Sequence, residues 1–119
     1  MDERKLGVVE ARFADLIWEN APLSSGELVR LCETELGWKK STTYTVLKKL
    51  CQREIFQNEG GVVSARISRD DFFAAQSRRF VEESFAGSLP AFIAAFSAGK
   101  GLTPREIEEI RRMMDEMEG

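Results

Sequence analysis

The densest run of side chains able to bond a ligand lies between residues 39 and 49. There Lys39, Lys40, Ser41, Thr42, Tyr44, Thr45, Lys48 and Lys49 supply ammonium and hydroxyl groups almost without interruption. Ammonium groups pair with phosphates, and lysine and hydroxyl groups also address acceptors and donors on base edges, so this set suits contact with a nucleic-acid duplex. Catalysis is poorly served. The chain has no histidine, which removes His-based triads, His-ligated zinc and the usual general base near neutral pH. Glu106, Glu108 and Glu109 form an exposed helix start rather than a converging pair. Cys32 and Cys51 cannot make a zinc site unaided, and both fall at apolar positions of helical patterns, where a buried free thiol is expected. We expect no enzymatic activity, no cofactor and no metal.

The net charge of −3 hides a pattern. Residues 1 to 37 carry eight acidic and four basic side chains, and residues 70 to 119 carry ten and six. Between them, residues 38 to 69 hold Lys39, Lys40, Lys48, Lys49, Arg53, Arg66 and Arg69 against only Glu54 and Glu59. A ligand within a Debye length feels the nearest charges rather than the total, so this basic segment points to a local anionic partner. A solvated helix face with surplus lysines would carry the same charges. The length of 119 residues fits one core with a small appendage. No apolar run approaches the length of a membrane span, and residues 1 to 5 lead into no signal-peptide core, so a cytoplasmic protein without membrane insertion is expected.

Several elements must position the basic segment. Val9, Phe13, Leu16 and Ile17 recur at helical spacing, predicting a first helix over about residues 7 to 20. Ser24 and Glu27 have capping-box spacing ahead of a second helix with Leu28, Leu31, Cys32 and Leu36 inward, closed by Gly37. Ser41 or Thr42 can cap a third helix, over about 41 to 53. Its inner side is Leu47, Leu50 and Cys51, with Thr43 and Val46 at the edge, and Ser41, Thr45, Lys48, Lys49 and Gln52 face out. Two β-prone runs, from Ile55 and from Val62, flank Gly60 and Gly61, as in a hairpin with a tight turn. Three helices followed by a two-stranded wing are the parts of a winged helix-turn-helix domain.

Beyond it, Ser68 opens a helix with Phe72, Phe73, Phe80, Val81 and Phe85 on its apolar side, interrupted at Gly87. Leu89, Phe92, Ile93 and Phe96 repeat at helical spacing. Thr103, Pro104 and Glu106 combine cap, first-turn proline and reach-back glutamate ahead of Ile107, Ile110, Met114 and Met117. The fold class is therefore mostly α (α+β): a winged-helix domain over 1 to 69, then a helical domain over 70 to 119. These short helices cannot bury so many aromatics alone, so a second copy is the simplest partner. Phe73, Phe80, Phe85, Leu89, Phe92, Ile93, Phe96, Ile107, Ile110 and Met114 are the expected dimer residues. Packing back onto the first domain is the other way to cover them.

In the major groove, Thr45 and Lys48 are expected nearest the base edges. Ser41 and Thr42 mark a helix N-terminus that favours a phosphate. Tyr44 flanks a phosphate or sugar, and Lys39, Lys40 and Lys49 contact phosphates. Arg66 reaches the backbone or an adjacent minor groove.

The segments Leu16-Ile17-Trp18, Ala21-Pro22-Leu23, Trp38-Lys39, Ser41 through Leu50, Glu83-Ser84-Phe85, Gly87-Ser88-Leu89 and Leu102 through Ile110 resemble the penicillinase-repressor family, the BlaI/MecI/CopY group. The resemblance covers about residues 6 to 116. It implies a homodimeric transcriptional repressor, with a winged helix on each operator half-site and a C-terminal helical domain exchanging contacts with its mate. In the best-known members a membrane sensor triggers cleavage before a phenylalanine; the matching bond is Ala95-Phe96, where alanine replaces the usual asparagine, and a sensor-linked protease is the partner so implied. The cysteine-rich motif of copper-responsive members has no counterpart after Cys51. The family wing, Gly-Arg-x-Phe-x-Tyr, reads Gly60-Gly61-Val62-Val63-Ser64-Ala65 here, without the arginine and both aromatics. Glu54 stands where a glycine usually follows the recognition helix, and the first-helix tryptophan is replaced near Ala11.

The expected function is thus a sequence-specific DNA-binding repressor on a pseudo-palindromic operator. Two alternatives stay open: a winged-helix module that binds another protein, and a regulator with a small-molecule pocket among Phe80, Phe85, Phe92 and Phe96.

Overall fold

The computed structural model describes residues 6 to 118, so the reading of residues 1 to 5 as no leader lies outside it. The order is α1 (Val8–Asn20), β1 (Leu23–Ser24), α2 (Ser25–Leu36), α3 (Lys40–Gln52), β2 (Phe56–Glu59), β3 (Val62–Ala65), α4 (Arg69–Phe85), α5 (Leu89–Gly99) and α6 (Pro104–Glu118). The chain divides into two compact units, the first ending at Ser77 and the second beginning at Arg78. The mostly α fold class, a winged helix followed by a helical segment, matches the sequence reading.

Local signals explain the helix ends of the first unit. The Ser24 hydroxyl accepts from the Glu27 N–H at 3.1 Å, satisfying an N–H that the helix itself cannot pair. At the other end of α2, Gly37 takes φ 68°, and its N–H closes on the Glu33 carbonyl. The cap expected at Ser41 or Thr42 is not there. The helix α3 begins a residue or two earlier, at Lys40, with Lys39 as its N-cap and no side-chain cap bond.

The sheet has three antiparallel strands in the order β1-β3-β2, one more than the expected hairpin. The extra strand is two residues long, Leu23 facing Val63 and Ser24 facing Val62. So short a segment has no alternation to read, and only its partner defines it. Glu59 pairs with Val62 across Gly60 (φ 60°) and Gly61 (φ 82°), a two-residue loop with positive φ at both positions, as a type I′ turn requires.

Phe13, Ala14 and Ile17 of α1, Leu28 and Cys32 of α2, Leu47 and Leu50 of α3, and Leu23, Ile55, Phe56 and Val63 around the sheet form one buried cluster. Val9, expected on the inner side of α1, is 53% exposed, and Ala14 sits inside in its place. Thr43, expected at the edge of α3, is buried, because its hydroxyl donates to the Lys39 carbonyl at 3.3 Å and carries no unmet bond inward. Cys32 is buried and Cys51 half-buried; burial pushes both thiols up, which keeps them protonated near neutral pH.

The first unit also claims the opening turns of α4. The Trp18 indole N–H donates to the Ile67 carbonyl at 3.0 Å, Arg69 pairs with Asp15 at 2.8 Å, and Trp18 packs tilted against Phe72 at 5.6 Å. Phe73 lies in the same cluster, edge-on to Phe72, with the Arg69 guanidinium 4.8 Å above its ring. The unit boundary therefore falls at 77/78 rather than 69/70. Phe73, expected among the dimer residues, covers its own unit.

In the second unit Ser88 caps α5 through the Ala91 N–H at 3.1 Å. Thr103 and Glu106 make the full reciprocal capping box of α6, at 3.1 and 2.9 Å. Phe80, Phe85 and Phe92 meet edge to face at 5.6 to 5.9 Å, and Phe96 leans on Phe92 at 6.1 Å. Neither α5 nor α6 buries a single residue.

Candidate nucleic-acid interface

The interface candidates are carried by α3. Its inner stripe of Thr43, Leu47 and Leu50 is buried, which turns the opposite side outward and fixes its rotation. Ser41, Thr42, Thr45, Lys48 and Lys49 are all exposed on that outer side, and Lys39 and Lys40 are exposed at its start. With no side-chain cap on α3, its first-turn N–H groups point outward unmet by any cap, and the helix dipole adds partial positive charge there.

Not every expected group is equally available. Thr45 donates its hydroxyl to the Ser41 carbonyl one turn back, at 2.9 Å, which leaves its oxygen lone pairs and its methyl facing out. The Tyr44 hydroxyl donates to the Ser25 hydroxyl at 3.0 Å, and the Ser25 N–H donates to the Gly61 carbonyl at 2.8 Å. Tyr44 is therefore a strut linking α3 through the start of α2 to the wing turn. Lys48, with Tyr44, Leu47, Cys51 and Asn58, lines an open groove of about 340 Å³ on the side of α3 next to β2. Arg66 is half-exposed and lies 3.9 Å from Glu54.

Lys49, expected at a phosphate, has a partner within the protein. Its ammonium is 2.8 Å from a Glu10 carboxylate oxygen, and Arg53 approaches the other oxygen at 3.9 Å. Glu10 also accepts the Gly7 N–H at 3.1 Å, at the start of α1. The hydrogen bond from Lys49, then that from Gly7, hold the Glu10 carboxyl below the usual carboxylate range. Sequence reasoning missed Glu10, since nothing in its surroundings marks a residue 39 positions from its partner.

Ala95 and Phe96, the matched cleavage pair, are both exposed within α5. Among the described residues no helix is long and apolar enough to cross a membrane.

Three helices, the third with a polar and basic side turned outward, and a small wing define a winged helix-turn-helix domain, the class of fold that DNA-binding regulators use. Residues 6–116 match the penicillinase repressor family, and the chain belongs to it. It is 22% identical over 111 residues to a penicillinase repressor of Bacillus licheniformis, covering 90% of this chain and 87% of that protein. The chain is thus a member of a family of DNA-binding transcriptional repressors.

Proposed function

We propose that this protein is a homodimeric, sequence-specific repressor that acts in the cytoplasm and lays α3 of each subunit in the major groove of a pseudo-palindromic operator. The observation that carries this is the outward row of Ser41, Thr42, Thr45 and Lys48, all exposed on a helix whose opposite side is anchored in the core. Thr45 and Lys48, a turn apart, read base edges. Lys39, Lys40 and the uncapped first turn of α3 hold phosphates and set the register. Two recognition helices on a symmetric pair need half-site centres about 34 Å apart, or a multiple of that.

The second unit supplies the reason for a pair. Phe80, Leu89, Phe96, Ile107, Met113, Met114 and Met117 are exposed apolar side chains on helices that bury little of their own. A second copy covers such a face with the same face. The contact set is Phe80, Phe85, Leu89, Phe92, Ile93, Phe96, Ile107, Ile110 and Met114. Release by proteolysis at Ala95-Phe96 through a sensor-linked protease requires α5 to open first, because proteases bind their substrates extended and this bond is helical.

The test is selection of bound fragments from random DNA, followed by salt titrations of wild type and Lys48→Ala on the selected duplex. Each phosphate contact contributes about 0.9 to the slope of log affinity against log salt. Loss of a base-reading lysine is expected to lower affinity for the selected duplex by about 5- to 150-fold, about 1–3 kcal/mol per good base contact, with a smaller effect on random duplex. Equal binding by the variant on both duplexes refutes the placement of α3.

A further inference from the structure

Ser41, Thr45 and Lys49 of α3 and its C-cap Arg53 stand at successive intervals of four, so they form one ridge on its surface. The first two are small, neutral and exposed; the last two are cations. Left to itself, the basic end of this ridge would take phosphates on either side of a groove whatever the base sequence. It is not left to itself. One carboxylate from another helix sits across both cations, 2.8 Å from Lys49 and 3.9 Å from Arg53, with a side chain only 20% exposed and its position braced by the Gly7 N–H. The cation furthest along the helix axis in this pair, Arg53, is no more exposed than the carboxylate.

We infer that Glu10 is a specificity-determining and positioning residue: it occupies Lys49 and Arg53, confining phosphate attraction to the N-terminal half of α3. This rests on the proposed DNA-binding role of α3. The consequence is a smaller sequence-independent contribution to affinity, so that the contacts of Thr45 and Lys48 with base edges make up a larger share of the total. Glu10 touches no DNA itself; it acts through Lys49. A carboxylate is suited to this because it competes with phosphate for the same donor, and a neutral residue in its place would leave the Lys49 ammonium to the duplex.

The experiment uses the full chain and a random-sequence duplex of about three helical turns, titrated with salt by fluorescence anisotropy. Glu10→Gln retains the shape and an acceptor for the Gly7 N–H but removes the charge. It is expected to bind this duplex several-fold more tightly at low salt and to steepen the salt slope by about 0.9, one further phosphate. In Glu10→Gln/Lys49→Met the slope returns toward wild type, while Lys49→Met alone leaves the slope unchanged. A purely structural Glu10 would alter melting temperature but not slope. The inference is overturned if Glu10→Gln keeps the wild-type slope, or if Lys49→Met alone lowers it by about 0.9, because Lys49 would then already serve a phosphate. Should Glu10→Gln fail to fold, Lys49→Met alone decides between the same two outcomes. A wild-type protein with no affinity for any duplex would refute the role of α3 itself, which is a distinct result.

Discussion

Glu54 shows how a single residue can carry a cost that its neighbours tolerate. It follows α3 at φ 64°, and the Ile55 N–H closes back onto the Leu50 carbonyl at 3.1 Å, so the chain needs a left-handed residue at this point. A side chain with a Cβ resists that conformation by roughly 1–2 kcal/mol. The pairing of Glu54 with Arg66, at 3.9 Å between exposed groups, returns little. Glu54→Gly is therefore expected to stabilise the fold by about 0.5–1 kcal/mol, after the larger unfolded-state entropy of glycine is set against the relieved strain. Urea denaturation measures this, and an unchanged midpoint would mean that the turn is not strained. The sequence shows a glutamate where the family usually has a glycine after the recognition helix; only the dihedral angle gives it a physical meaning.

At the scale of elements, the wing differs most from what the family resemblance implies. Its turn needs positive φ at both Gly60 and Gly61, so an arginine at 61 would have to adopt φ 82°. The tip is left with Glu59 as its charged group, exposed at the end of β2. A carboxylate there repels a phosphate backbone rather than holding it. If the wing flanks the duplex, Glu59→Lys should tighten binding to random duplex and steepen its salt slope by about 0.9. An unaltered slope would separate the wing from the DNA altogether. The wing also has an internal role. Its turn carbonyl receives the Ser25 N–H, and Ser25 in turn receives Tyr44, so the hairpin helps hold the pitch of α3.

For the whole molecule, the two units differ in how well they cover themselves. The first encloses a core in which Phe13, Ile17, Leu28, Leu50, Phe56 and Val63 are fully buried. The second has aromatic contacts but no enclosed residue on α5 or α6, a condition that water penalises until another surface covers it. Phe96 is 62% exposed, so Phe96→Asp should cost a single protomer less than about 1 kcal/mol. If the protein is the proposed dimer, this substitution should nonetheless convert it to monomer in sedimentation experiments and weaken binding to a two-half-site duplex more than tenfold. A dimer that persists with this substitution would mean that the covering face lies elsewhere.

Helical periodicity, the caps at Ser24, Ser68 and Thr103, and the double glycine of the wing were all legible along the chain, because each is a relation between residues within one or two turns; the Ser88 cap of α5 was local too, but was not read. So was the outward set of α3, since its rotation follows from the apolar stripe beneath it. The strand of Leu23 and Ser24, the packing of Phe73 against Trp18, the engagement of Tyr44 by Ser25 and the capture of Lys49 by Glu10 were not. Each joins residues far apart in sequence, and hydrogen bonds and ion pairs across such gaps are made by the approach of whole elements rather than by any local spacing. The sequence by itself thus determined which helix turns a row of donors outward; the tertiary structure alone decided which of those donors are already engaged.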